Sequence, residues 1–133
     1  MSGSGGGLER KILVIDDDAG VRDCVATGLR RVGHRVETAS NGVDGLRRLA
    51  DGQFDVVVSD VFMAECDGLE VLRKVRRALP HIRTVLMSGG SPSVPGNYLS
   101  VARELGASAV LAKPFQAKDL LQVLNGLGAP AHR

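Results

Sequence analysis

The sequence contains no tryptophan, one tyrosine (Tyr98) and three phenylalanines. A platform that stacks nucleic-acid bases needs rings, so it is hard to build here, and aliphatic side chains must fill the core. Neither sign of charge dominates: 17 Lys and Arg against 15 Asp and Glu leave +2. The positive residues are scattered over prospective helices, which is no footprint for direct nucleic-acid binding. Cysteine is scarce too. Cys24 and Cys66 form no CxxC pair, which speaks against a zinc or dithiol site and for a reduced, cytoplasmic protein. No apolar run nears the roughly 18 residues of a membrane span, and no apolar leader precedes a cleavage site, so no membrane partner is expected.

Present instead are short apolar runs alternating with amphipathic stretches. At 133 residues and 44% apolar composition, there is room for one compact unit that buries roughly two thirds of its unfolded surface without staples. Residues 1–9, opening MSGSGGG, read as a flexible leader or cloning remnant, 10–127 as the domain and 128–133 as a tail.

Residues 11–15 (KILVI) form a β-branched and aliphatic run that suits a strand covered on both faces. Val21, Val25, Leu29 and Val32 then recur at helical spacing before Gly33, where a C-terminal cap belongs. The alternation repeats, with strands at 35–39, 54–59, 83–87 and 109–112. Helices run from the Ser40-Asn41-Gly42 turn to about Ala50, and over 69–79, 97–105 and 116–127. Their inner stripes are Leu46 and Leu49; Leu69, Leu72, Val75 and Leu79; and Leu120, Leu121, Leu124 and Leu127. Parallel neighbours need crossover connections, so the pattern predicts an α/β fold. It is a doubly wound five-stranded parallel sheet, (βα)5, in the flavodoxin-like strand order 2-1-3-4-5.

Ligands of such sheets bind at the carboxyl ends of the strands. Strand one delivers Asp16 and Asp17 there, strand three Asp60, strand four Ser88, and strand five Lys113 followed by Pro114. An Asp after a strand is by itself an ordinary turn or cap residue; convergence of all five groups is the signal. Clustered carboxylates demand a cation or a raised pKa. An all-oxygen set without His or Cys suits a hard ion, Mg²⁺ or Mn²⁺, rather than zinc. With Ser88 as donor and Lys113 as fixed charge, the site looks built for phosphoryl transfer.

These motifs, ILVIDDD at 12–18, VVVSDVFMAECDGLE at 56–70, VLMSGG at 85–90 and LAKPF at 111–115, resemble the receiver domain of bacterial two-component response regulators. The resemblance covers about residues 10–127. It implies that Asp60 is the phosphoacceptor, supplied by a histidine kinase or phosphotransfer protein. It implies that Asp16, Asp17, Asp60 and the main-chain carbonyl of Phe62 hold Mg²⁺, one of the first two through water, with Asp18 outside the pair. Ser88 matches the switch hydroxyl and Lys113 the phosphate-contacting lysine, whose bond to Pro114 is cis in the family. Gly68 is expected at a positive-φ turn before helix three.

Three departures stand out. Ala64 replaces a usual Pro, Val110 replaces the aromatic switch residue, and the Pro- and Gly-rich stretch 88–113 is longer than the pattern. Residues 91–98 are read as a mobile, partner-reading element with Tyr98 as a contact. The resemblance also implies that Phe62 and Gly90, two residues after the acceptor and two after the switch hydroxyl, flank the path of hydrolytic water. His34, His81 and His132 are given solvated or capping roles, Cys24 a packed position in helix one, and Cys66 that of a small loop residue.

The expected function is thus a phosphorylation-controlled signalling module, a regulatory protein and not an enzyme. Its output is a downstream protein target or an output domain outside this chain, since no output module follows Leu127. Two alternatives remain open. One is a haloacid-dehalogenase-like phosphohydrolase using Asp16, although Gly20 stands where Thr or Val is expected; the other is a degenerate receiver that only docks. A P-loop is absent, since no GxxxxGK[ST] follows strand one.

Overall fold

A computed structural model describes residues 9–63, 65–88 and 98–128. The elements alternate strictly: β1 (Lys11–Ile15), α1 (Ala19–Arg31), β2 (Arg35–Ala39), α2 (Gly42–Asp51), β3 (Val56–Asp60), α3 (Gly68–Ala78), β4 (Arg83–Ser88), α4 (Tyr98–Glu104), β5 (Ala109–Ala112) and α5 (Ala117–Gly126). All strand pairings are parallel and the order is β2-β1-β3-β4-β5, the doubly wound arrangement expected. Short polar side chains start the helices by accepting orphan N–H groups: Asp18 from Gly20 and Val21, Asn41 from Asp44, and Asp67 from Glu70. Gly33, at φ 102°, follows the end of α1.

Successive strand residues face opposite sides of the sheet, and the core divides accordingly. Ile12, Val14, Val56, Val58, Val85 and Met87 pack with Val25, Leu29, Leu120 and Leu124 of α1 and α5. On the other side Leu13, Ile15 and Val57 meet Leu49, Val71 and Val75 of α2 and α3, and Leu86 meets Leu72 and Ala102. Each such side chain contributes roughly 1.5–3 kcal/mol relative to exposure. The central strands are therefore pinned from both faces, and the residues at their carboxyl ends inherit that rigidity.

Several expectations are corrected. Strand β3 begins at Val56; Phe54 belongs to the core beneath α2 and α3, and the Asp55 carboxylate accepts the Lys11 N–H at 2.8 Å. The stripe of α3 is led by fully buried Val71 beside Leu72 and Val75, with Leu69 and Leu79 only partly covered. Cys24 is exposed, because the helix turns its buried face through Val25 and Leu29. Cys66 is a loop residue between β3 and α3 as expected, and its side chain is buried in the core. His34 is partly buried and its Nδ1 accepts the Arg10 N–H at 3.1 Å. Residues 1–8 of the expected leader, 129–133 of the tail, Ala64, and 89–97, including Gly90 and most of the expected partner-reading element, lie outside the described residues.

Candidate functional site

The apolar runs of the central strands give way to polar residues at their carboxyl ends. Asp16 follows β1 and is fully buried, Asp60 closes β3 and is 7% exposed, and Asp17 is exposed. One carboxylate oxygen from each lies within 4.8 Å of the others. Lys113, one residue beyond β5, places Nζ 3.0 Å from Asp16 Oδ2 and 3.4 Å from Asp60 Oδ1. Residues 97 apart in the chain thereby meet.

Asp16 and Asp17 are chemically identical neighbours with different environments. Asp16 Oδ1 accepts the Asp18 N–H at 2.9 Å and Oδ2 accepts from Lys113. Its N–H donates to Ala39 O at 3.2 Å, and its carbonyl accepts from Arg22 Nη1 at 2.8 Å. Asp16 is thus tied at both carboxylate oxygens and both main-chain groups, while Asp17 projects into solvent. Asp18 caps α1 and lies outside the acidic cluster.

Electrostatics follow from this packing. Burial pushes the Asp60 carboxyl above its ordinary range, Lys113 opposes the shift, and the negative charges of Asp16 and Asp17 add to it. Burial works against the charge on Lys113, but its hydrogen bonds to Asp16 and the negative charges of Asp60 and Asp16 outweigh it, and its pKa is raised. Three carboxylates face one ammonium, so the cluster retains an excess of negative charge. The donors are hard oxygens in mutual reach, a set that fits Mg²⁺ or Mn²⁺.

Ser88 ends β4, 7% exposed, with Met87 in register with Asp60. The Ser88 carbonyl accepts the Lys113 N–H at 2.7 Å, which joins the hydroxyl-bearing strand end to the lysine-bearing one. The Lys113–Pro114 peptide is cis. The Phe62 ring is 47% exposed beside the acceptor strand. Val110 is partly buried against the Val61, Leu72, Leu86 and Ala102 cluster.

Gly68 does not have positive φ, contrary to expectation. Its requirement is space: a Cβ there would lie 2.6 Å from the Asp60 carbonyl and 2.8 Å from Val61 Cα. The N-terminus of α3 thus rests directly on the backbone of Asp60, with the Gly68 N–H donating to Val61 O at 2.8 Å. Gly42 makes a similar close approach, a Cβ there lying 2.2 Å from the Cys66 carbonyl. Cys66 is accordingly a wedge between the loop after Asp60 and the start of α2. Burial, then the charge of Glu70, raises its thiol pKa, so it is a packed thiol and not a reactive thiolate. Sequence reasoning missed Arg22; its signal was a basic residue near the start of the helix that follows an acidic strand end.

A family model described as the response regulator receiver domain matches residues 12–125. The chain is 35% identical over 114 residues to the DNA-binding transcriptional regulator NtrC of Azospirillum brasilense, covering 86% of this chain and 23% of that protein. It is 37% identical over 120 residues to the response regulator MprA of Mycobacterium sp. (strain KMS), covering 88% and 50%. The chain therefore spans a half or less of these relatives. Among solved structures, a response regulator receiver domain protein from Clostridium thermocellum is 32% identical with a TM-score of 0.80, covering 90% of this chain and 93% of that one.

Proposed function

The chain belongs to the response regulator receiver family, and from that premise we propose that it is the phosphoryl-accepting module of a two-component system, with Asp60 as acceptor. The observation that carries the reading is the buried Asp60 at the end of β3, with Lys113 Nζ 3.4 Å from Oδ1. A carboxylate oxygen of Asp60 forms the bond to phosphorus as the bond from phosphorus to the donor histidine nitrogen breaks, and that electron pair stays on the imidazole. Lys113 holds the growing charge of the transferring oxygens, and the Ser88 hydroxyl donates to the bound phosphoryl group. Asp16, Asp17, Asp60 and the Phe62 carbonyl would hold Mg²⁺, which supplies charge neutralisation of the phosphoryl oxygens. Phosphorylation is then local electrostatics that biases two conformational populations. Valine at position 110 has no ring to swing, so output runs through the segment after Ser88 and α4 to a protein target or to an output domain outside this chain.

Asp16 is a poor nucleophile by comparison. Both its carboxylate oxygens are engaged and it is fully buried, which disfavours the phosphohydrolase alternative. The test is incubation with a histidine kinase or a small acyl phosphate donor and Mg²⁺, followed by mass spectrometry. One phosphoryl group on Asp60, lost in Asp60→Asn, is the expected result. A phosphoryl group mapped to Asp16 would assign the hydrolase reading, and none under any donor would leave a docking module.

A further inference from the structure

Among the basic side chains of the described residues, one reaches back from a helix to the acidic turn without touching a carboxylate. Arg22 lies in the second turn of α1, and its Nη1 donates to the main-chain carbonyl of Asp16 at 2.8 Å. The turn it closes is bonded throughout. Asp18 N–H reaches Asp16 Oδ1, the Asp18 carboxylate caps Gly20 and Val21, and the Arg22 N–H returns to the Asp18 carbonyl at 2.9 Å.

The carbonyl that Arg22 holds belongs to the peptide plane between Asp16 and Asp17. Holding that plane sets the backbone from which the Asp17 side chain departs. Asp17 needs such an external constraint more than its neighbours do, because Asp16 and Asp60 are buried while Asp17 is exposed. We propose that Arg22 is a positioning residue for the metal site. Its guanidinium latches the Asp16–Asp17 peptide so that the exposed carboxylate is preorganised toward the two buried ones. This rests on the reading of the acidic cluster as a divalent-cation site.

Two effects of Arg22 on a cation have opposite signs. As a positive charge near the cluster it repels the cation, whereas as a latch it removes a conformational cost of binding. Groups that orient metal ligands are worth about 10- to 100-fold in affinity, and the repulsion is screened because Arg22 is partly exposed. The latch therefore outweighs the charge.

The test is Mn²⁺ binding to the full chain, followed by loss of the free-ion paramagnetic resonance signal and by Mg²⁺ competition, with no phosphodonor present. Arg22→Met should weaken Mn²⁺ binding about tenfold while its melting temperature in metal-free buffer stays near wild type. Arg22→Lys, which keeps a donor of similar reach, should recover most of the affinity. With a small phosphodonor, the Arg22→Met defect should appear as a higher Mg²⁺ requirement and vanish at saturating metal. Tight wild-type binding with unchanged or tighter binding by Arg22→Met would overturn the latch alone. Failure of the wild type to bind Mn²⁺ would overturn the reading of the cluster and the latch with it. Loss of folding in both variants would also overturn the latch, since Arg22 would then be a general fold residue.

Discussion

At the carboxyl end of the sheet, Asp16 and Asp60 are buried beside Asp17 with the single ammonium of Lys113 among them. At the amino end, Arg10 is 4% exposed and Arg83 opens β4. The two poles bury opposite charges and balance them differently. Arg10 Nη2 donates to the carbonyls of Leu124 and Gly128, and Arg83 Nη1 to that of Leu127. These carbonyls lie at and just beyond the C-terminus of α5, where the helix dipole favours cations; that of Leu124 also accepts the Leu127 N–H. Burial, then Arg83, lowers the Arg10 pKa, and Asp55 partly restores it. The basic pole is thus held mainly by main-chain carbonyls of α5 and serves structure, although Arg10 Nη1 is buried without a hydrogen-bond partner. Among the described residues the acidic pole has three carboxylates around the ammonium of Lys113, and that excess is why it is the candidate site.

Replacing Lys113, the cation in contact with the carboxylates of the acidic pole, tests this contrast most severely. Lys113→Met should slow phosphorylation by a small donor about 10²–10³-fold, as expected for removing a preorganised electrostatic partner, measured by the rate of phosphoryl incorporation. Breaking the other pole should do the reverse. Arg10→Met removes the charge-assisted bonds from the residue preceding β1 to the end of α5 and should cost about 1–3 kcal/mol of unfolding free energy, read by denaturant melts, with phosphorylation at saturating Mg²⁺ retained.

Metal ion should act on one pole only. At Mg²⁺ about tenfold above its Kd, wild type should gain about 1.4 kcal/mol, seen as a higher Tm that Asp60→Asn fails to match. In metal-free buffer the order reverses. A carboxyl held above its ordinary range loses stability as pH rises through that range, so at neutral pH Asp60→Asn should melt above wild type. A smaller effect is expected at the rim, where exposed Phe62 would shield an acyl phosphate on Asp60; Phe62→Asn should then shorten its half-life a few-fold, followed by loss of label. The smallest effect belongs to the basic pole. Burial, then Arg10, holds the His34 pKa below 6.5, with Glu9 opposing. The unfolded chain therefore takes up the proton first, and stability should fall as pH drops below about 6.5. A flatter profile in His34→Asn, which keeps an acceptor, would confirm the source.

Much of this contrast was legible before the fold. Asp16, Asp17, Asp60, Ser88 and Lys113 each stand directly at or beyond a recognisable apolar run, so placing the strands brought these groups to one edge of the sheet. The basic pole was not legible. Arg10 and Arg83 look like ordinary flanking charges, and nothing local says that their partners are main-chain carbonyls of α5, 114 residues from Arg10 in the case of Leu124. Gly68 was misread for a related reason. Glycine after Asp in a turn suggests positive φ, whereas the actual demand is a close approach to the Asp60 backbone.

The sequence by itself determined the alternation of elements, the parallel order that follows from crossover connections, and the identity of the groups at the strand ends. These rest on periodicity and on local chemistry, both readable along the chain. Only the tertiary structure decided which of two adjacent aspartates is buried and tethered and which is free to reach a ligand. It also decided which arginine latches the turn, and where a missing Cβ is required. Those outcomes depend on what arrives from distant segments, Lys113 and Ala39 at Asp16, α3 at Asp60 and α5 at Arg10. Identical residues acquire different roles when packing gives them different neighbours.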